Sequence, residues 1–200
     1  MTPFSFSAAL LAGGQSKRMG QDKALLILPG SNLPLWQRQW RVLEELQPAE
    51  IFWSGHARPG LPENIRLIPD AASAAGPLAG ISACLHETKS DLLVVLAIDL
   101  PQMATAFLQS LLTRCSTGCG IVARHGDFFE PLAAVYPKKL HALATTHLTQ
   151  GRFAMQDLIR EAIQQGLLRD FPLDENDAAL FQNLNSPADI PEPSPHRAID

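Results

Sequence analysis

The chain carries little charge and few cysteines, and it has no long apolar run. Only 18% of its 200 residues are charged, and the net charge is -4, so its overall electrostatics do not attract nucleic acid. No apolar run approaches the ~20 residues of a membrane-spanning helix, and no basic segment precedes the apolar N-terminal run. We therefore expect neither a nucleic-acid partner nor a membrane anchor.

The three cysteines, Cys84, Cys115 and Cys119, are an odd number and do not have the spacing of a disulfide framework. They predict a reduced, cytoplasmic protein. Several catalytic signatures are also missing, because the sequence has no H-E-x-x-H, no G-x-S-x-G, no Walker A loop and no G-x-G-x-x-G. A metalloprotease, a serine hydrolase of the α/β type and two familiar nucleotide-binding loops are thereby excluded.

Strand-like and helix-like segments alternate along the chain, and this predicts an α/β domain of three layers with a mainly parallel central sheet. The run LLVVLAI within Asp91–Ile98 is typical of a central strand that is buried on both faces. We expect residues 1–190 to form one domain, followed by a proline-rich tail at 191–200. The predicted strands are Phe4–Ala12, Ile51–Trp53, Ile65–Ile68, Asp91–Ile98, Gly120–Ala123, Pro131–Tyr136, Leu168–Leu173 and Leu180–Asn183. The predicted helices are Pro34–Gln47, Gly76–Glu87, Ala104–Thr113, Lys138–Thr149 and Phe153–Gln165.

The first strand runs into the segment LLAGGQSKRMGQDKALL, which joins a Gly-Gly turn to hydroxyl and cationic side chains. Gly13 and Gly14 allow a positive φ and the close approach of a ligand. Backbone amides in such a loop can bind phosphate oxygens, while cations such as Arg18 and Lys23 neutralise them. On these features alone, a plain turn followed by a solvated basic segment is the more usual interpretation.

The full pattern closely resembles the signature loop of the molybdenum cofactor guanylyltransferases, the MobA-type nucleotidyltransferases. Ten of the thirteen positions from Leu11 to Lys23 match that signature. The resemblance implies a three-layer, Rossmann-like nucleotidyltransferase fold and a Mg²⁺ cofactor. It also implies that Leu11, Ala12, Gly13 and Gly14 contact the purine base and the phosphates, that Lys23 contacts the phosphates and that Arg18 lies near the reacting phosphate.

Two aspartates follow strands whose carboxyl ends are expected to meet at one edge of the sheet. Asp99 follows the central strand and precedes Leu100-Pro101, and by position it is either a Mg²⁺ ligand or a turn residue. Asp70 follows the strand Ile65–Ile68 and is either a ligand or a turn residue in the same way. The resemblance implies that Asp99 binds the metal and the GTP, and that Asp70, upstream of Gly76-Pro77-Leu78-Ala79-Gly80, contacts the nucleotide.

The second half of the chain is expected to bind the other substrate. Glu130-Pro131-Leu132, Gly151-Arg152 and the segment Phe181–Asp189 resemble motifs of the same family. The resemblance implies that Arg152 binds a phosphate of the acceptor and that Asn183 and Asn185 pair with a pterin. The alternative for Arg152 is an exposed surface arginine.

The resemblance therefore implies transfer of GMP from GTP to Mo-molybdopterin with release of pyrophosphate. We expect a monomer that makes transient contacts with other proteins of cofactor biosynthesis. Asp22 before Lys23 favours GTP over CTP, whereas Ser54 occupies a position where the guanylyltransferases often have Asn. Three alternatives stay open: a cytidylyltransferase for the same cofactor, a sugar-1-phosphate nucleotidylyltransferase, and a nucleotide-binding regulatory module without catalysis.

Overall fold

The structure is a computed structural model that describes residues 4–13, 22–69, 75–184 and 187–189. Within these ranges the strands are β1 (Phe6–Leu11), β2 (Ile51–Ser54), β3 (Arg66–Ile68), β4 (Leu92–Ala97), β5 (Gly120–His125), β6 (Phe128–Pro137) and β7 (Leu168–Pro172). The α-helices are α1 (Leu35–Glu44), α2 (Pro77–Glu87), α3 (Thr105–Arg114), α4 (Leu140–Thr149), α5 (Met155–Gln164) and the short α6 (Glu175–Ala178). No helix in the described part of the chain is long and apolar enough to cross a membrane.

The strands form one sheet in the order β3-β2-β1-β4-β6-β5-β7. Every neighbouring pair is parallel except those of β6, which runs antiparallel to both β4 and β5. Leu11, the last residue of β1, pairs with Ser54 of β2 on one side and with Ala97 of β4 on the other. The mainly parallel sheet is thus confirmed, and the carboxyl ends of three strands lie side by side at one edge.

Helices pack on both sides of this sheet, which gives the predicted three layers. Helices α2, α4 and α5 contact one another in turn on one side. On the other side α3 meets α1, where the Thr105 hydroxyl donates to Glu45 at 2.5 Å. All six residues of β4 are buried between these layers, as its continuous apolar sequence predicts.

The prediction of a late strand at Leu180–Asn183 is wrong. Residues Ala179–Phe181 form a 3₁₀ turn, and the Phe181 ring packs edge-on against Phe107 of α3, with ring centroids 5.3 Å apart. The last position of the sheet on this side is occupied by β7. Phe181 is therefore buried against a helix and not in an eighth strand.

Candidate active site

The candidate site lies where β1 ends between β2 and β4. The Ala12 amide donates to the Ser54 carbonyl at 2.8 Å, and the Ile98 amide donates to the Leu11 carbonyl at 3.0 Å. The chain leaving β1 toward Gly13 is therefore held between the ends of both neighbouring strands. In an open parallel sheet this edge is where ligands bind, at the point where the strand order reverses.

Gly55, directly after β2, allows the backbone of Ala12 and Gly13 to come close. Its φ is +134°, and a Cβ built on it would lie 2.8 Å from the Gly13 nitrogen and 2.9 Å from the Ala12 carbonyl carbon. Real Cβ atoms do not approach backbone that closely, so glycine is required here for steric as well as conformational reasons. The residues around Gly55 in the sequence do not indicate this role.

The start of α2 closes the same edge of the sheet. Gly76 has a φ of +60° and Pro77 occupies the first turn, a position in which its missing N–H costs no hydrogen bond. One turn later, a Cβ on Gly80 would lie 2.5 Å from the Ser54 hydroxyl oxygen. Gly80 therefore permits the close packing of α2 on the end of β2, and Ser54 is buried between them.

Asp99 follows β4 and is half-buried beside the end of β1. Its Oδ1 atom is buried and has no hydrogen-bond partner among the described residues. Burial raises the pKa of this carboxyl group, and the nearby positive charge of Lys23 opposes that rise. A buried carboxylate oxygen without a partner costs free energy, so a ligand with positive charge would relieve it.

Lys23 begins a 3₁₀ turn, Lys23–Leu25, on the far side of the signature loop. The Asp22 side chain caps this turn by accepting a hydrogen bond from the Ala24 amide at 3.0 Å. The capped turn fixes the backbone of Lys23, whose positive charge acts on the Asp99 carboxyl group.

The donor set at this edge is suited to a magnesium-bound polyphosphate. Mg²⁺ prefers oxygen ligands and is commonly held by one or two carboxylates together with phosphate oxygens. The unpartnered Oδ1 of Asp99 fits that preference, and Lys23 supplies a fixed positive charge beside it.

Comparison with known proteins agrees with this geometry. Residues 8–166 match the family described as the MobA-like NTP transferase domain. A probable molybdenum cofactor guanylyltransferase from Opitutus terrae is 37% identical over 190 residues, covering 92% of this chain and 93% of the relative. The chain belongs to the MobA-like NTP transferase family. A molybdenum cofactor guanylyltransferase from Pseudomonas putida is 34% identical over 186 residues, covering 90% of this chain and 93% of the relative.

A solved structure shows the same fold. Molybdopterin-guanine dinucleotide biosynthesis protein A from Archaeoglobus fulgidus superimposes with a TM-score of 0.70 at 23% identity, covering 92% of this chain and 94% of that one. The MobA-like NTP transferase fold predicted from the signature loop is thereby confirmed.

The residues predicted for the nucleotide divide into two groups. The structure brings Leu11, Ala12, Gly13, Lys23 and Asp99 to one edge of the sheet. Gly14, Arg18 and Asp70 lie outside the described residues, so their roles stay predictions.

One of the residues predicted for the acceptor, Asn183, also lies at this edge. The Leu184 amide donates to the Asp99 carbonyl at 2.8 Å, which places the exposed Asn183 next to the end of β4. Asn185 lies outside the described residues.

Arg152 lies before α5 and not at its first residue, because the helix begins at Met155. Its Nη2 donates to Glu161 at 3.2 Å, and its side chain is 45% exposed. Glu161 also bonds the fully buried His147 ring, with 2.9 Å between Nε2 and Oε2. In this MobA-like NTP transferase, Glu161 therefore links Arg152 to the buried His147, a connection that the sequence does not indicate.

Proposed function

We propose that this chain is a molybdenum cofactor guanylyltransferase that transfers GMP from GTP to Mo-molybdopterin. The observation that carries the proposal is the buried, unpartnered Oδ1 of Asp99 beside the end of β1, with the Lys23 charge acting on it. The choice of substrates is supported by the names of relatives that align with nearly the whole chain.

In the proposed reaction, an oxygen of the terminal phosphate of the acceptor attacks the α-phosphorus of GTP. A new P–O bond joins GMP to the acceptor, the bond to the β-phosphate breaks, and pyrophosphate leaves with its electron pair. The chain needs to position two phosphate groups and to neutralise their charge, and no covalent enzyme intermediate is required.

The residues of the chain take separate parts in this reaction. The turn at Gly13, together with Gly14, would seat the nucleotide, and Lys23 would neutralise its phosphates. At a distance of ~4 Å in a partly screened site, such a cation contributes about 4 kcal/mol of attraction for each unit charge. Mg²⁺, when bound at Asp99, would supply further positive charge to the phosphate oxygens. Arg18 would act near the reacting phosphate.

Acceptor binding is assigned to the second half of the chain. Arg152 would bind a phosphate of the pterin substrate, while Asn183 and Asn185 would pair with the donors and acceptors of the pterin ring. Asp70 would contact the nucleotide from the end of β3. We expect a cytoplasmic monomer that makes only transient contacts with other proteins of cofactor biosynthesis.

The deciding experiment incubates the purified chain with Mg²⁺, Mo-molybdopterin and each of the four nucleoside triphosphates, and quantifies dinucleotide and pyrophosphate. We expect product with GTP alone. Product with CTP would instead identify a cytidylyltransferase. Ser54 is the specific reason to test CTP, because guanylyltransferases often have Asn at this position. Turnover only with a sugar 1-phosphate, or nucleotide binding with no turnover, would refute the proposal.

A further inference from the structure

Arg58, in the connection between β2 and β3, is held by three kinds of contact. Its Nε lies 2.6 Å from Asp22 Oδ2, and its Nη1 donates to the His56 carbonyl at 3.1 Å. Its guanidinium carbon lies 5.8 Å from the centroid of the Trp53 ring. The side chain is only 11% exposed. Arg58 is therefore a half-buried and fixed cation in a segment where a solvated arginine would be expected.

The platform beneath Arg58 is rigid. Trp53 is fully buried, its indole N–H donates to the His56 carbonyl at 3.0 Å, and its ring meets Trp36 of α1 edge-on at 5.9 Å. Trp53 and Arg58 thus donate to the same carbonyl oxygen. Because the Trp53 ring and the His56 carbonyl are both fixed, Arg58 cannot move without loss of its hydrogen bond to His56.

The Asp22 carboxylate uses both of its oxygens. Oδ1 caps the turn Lys23–Leu25, and Oδ2 receives the Arg58 Nε–H. A turn of three residues has few hydrogen bonds of its own, so the orientation of its first residue depends on the cap. Arg58 thereby links the connection after β2 to the backbone of Lys23.

We propose that Arg58 is a positioning residue for nucleotidyl transfer, which fixes Asp22 and so holds Lys23 at the strand edge beside Asp99. This inference rests on the proposed function, in which Lys23 binds the phosphates of GTP. Arg58 is neutralised by Asp22 and covered by the protein, so it acts through Lys23 and not as a phosphate ligand. A displacement of ~1 Å at a phosphate-binding cation can lower a rate by about 10²-fold.

The chain offers a matched control in Arg66. Arg66 also lies over an aromatic ring of β2, 4.8 Å from the Phe52 centroid, and it also pairs with carboxylates, those of Glu50 and Glu87. It stands at the amino end of β3, however, at the edge of the sheet opposite to Asp99. Arg66→Gln removes an arginine of the same kind without touching the signature loop.

The kinetic test compares kcat and KM for GTP in Arg58→Gln, Arg58→Lys and Arg66→Gln. We expect Arg58→Gln to lower kcat by about 10-fold to 100-fold, with a smaller change in KM, and Arg66→Gln to leave kcat unchanged. Arg58→Lys should recover part of the rate, since an ammonium keeps the charge but cannot donate to Asp22 and His56 in the same geometry. Equal kcat values for Arg58→Gln and Arg66→Gln would overturn the inference.

A double variant separates positioning from general destabilisation. In a Lys23→Met background, adding Arg58→Gln should change kcat by less than about twofold, because the two residues act as one unit. Additive losses would mean that Arg58 acts by another route.

A second readout does not depend on turnover. The rate at which an acylating reagent labels Lys23, followed by mass spectrometry, should change several-fold in Arg58→Gln and stay at the wild-type value in Arg66→Gln. If wild-type protein transfers no nucleotide but the labelling changes as expected, the proposed function fails while the positioning by Arg58 stands. Unchanged labelling in Arg58→Gln refutes the positioning itself.

Discussion

Gly55→Ala should damage both the stability and the catalysis of the enzyme, because the new methyl group would be forced against the backbone of the glycine turn. The added Cβ would lie 2.8 Å from the Gly13 nitrogen and 2.9 Å from the Ala12 carbonyl carbon. Neither atom belongs to a flexible side chain, and Ala12 is tied to β2 by its hydrogen bond to Ser54. The backbone of Ala12 and Gly13 must therefore shift by at least a few tenths of an ångström.

Two contributions set the size of the effect. An alanine held at positive φ costs about 1–3 kcal/mol, and overpacking against fixed atoms costs a further ~1–3 kcal/mol. For a chain of this length, each kcal/mol lowers Tm by about 2–4 °C. Displacement of Ala12 and Gly13, which we propose contact the nucleotide, should also lower kcat/KM for GTP by about 10-fold to 100-fold.

Gly60→Ala is the matched control. Gly60 has a φ of +82°, but nothing lies within 4 Å of a Cβ at this position. Gly60→Ala therefore measures the conformational cost alone, and we expect a smaller loss of Tm than in Gly55→Ala, with unchanged kcat/KM. Thermal melts of both variants give the losses of Tm, and steady-state pyrophosphate release gives kcat/KM. Equal losses in Gly55→Ala and Gly60→Ala in both assays would show that the added methyl group meets no steric obstacle at Gly55.

Three further predictions concern charged groups. Asp99→Asn should lower turnover by at least about 10²–10³-fold. The metal-free variant should keep its Tm, because burial raises the pKa of this carboxyl group and disfavours its ionised form in the folded state. Full activity of the variant would exclude the metal role. Arg152→Ala should raise KM for the pterin acceptor by about 10-fold to 100-fold and leave KM for GTP unchanged, and an unchanged acceptor KM would mark Arg152 as a surface residue. Glu161→Gln should flatten the pH dependence of stability in acid. Hydrogen bonds from His147 and then Arg152 lower the pKa of Glu161 below its usual 4.5, so the carboxylate stabilises the fold above pH 4.5, and this stabilisation is lost as the pH falls through the lowered pKa. The Glu161 prediction would be contradicted if the acid unfolding curves of the wild type and Glu161→Gln coincided.

The parts of the fold that depend on local pattern were predictable from the sequence. The apolar run of β4 and the Gly-Gly turn after β1 both identify strand ends, and the strand ends locate the site. The direction of β6 was not predicted, since an alternating pattern is the same for parallel and antiparallel strands. A signal was nevertheless present, because His125 pairs with Phe128 and leaves the two-residue hairpin loop Gly126-Asp127 between them.

The tertiary partners of the site could not be predicted in the same way. Arg58 and Asp22 are separated by 36 positions, and nothing in the surrounding residues of either indicates the other. The need for glycine at position 55 is evident only from the structure, in which the backbone of Gly13 lies beside it. Leu180–Asn183 has strand-like composition, but burial of Phe181 against α3 overrides that local preference.

The hydrogen bond from the Leu184 amide to the Asp99 carbonyl means that the end of β4 gets its last partner late in synthesis of the chain. The carbonyl that follows β4 gains this partner only after the ribosome has added eighty-five more residues. A nascent chain that already contains the parallel strands β1 to β4 still lacks the segment that hydrogen-bonds to the end of β4. Newly made enzyme should therefore become competent late, when the last part of the domain has been translated and has folded back across the sheet.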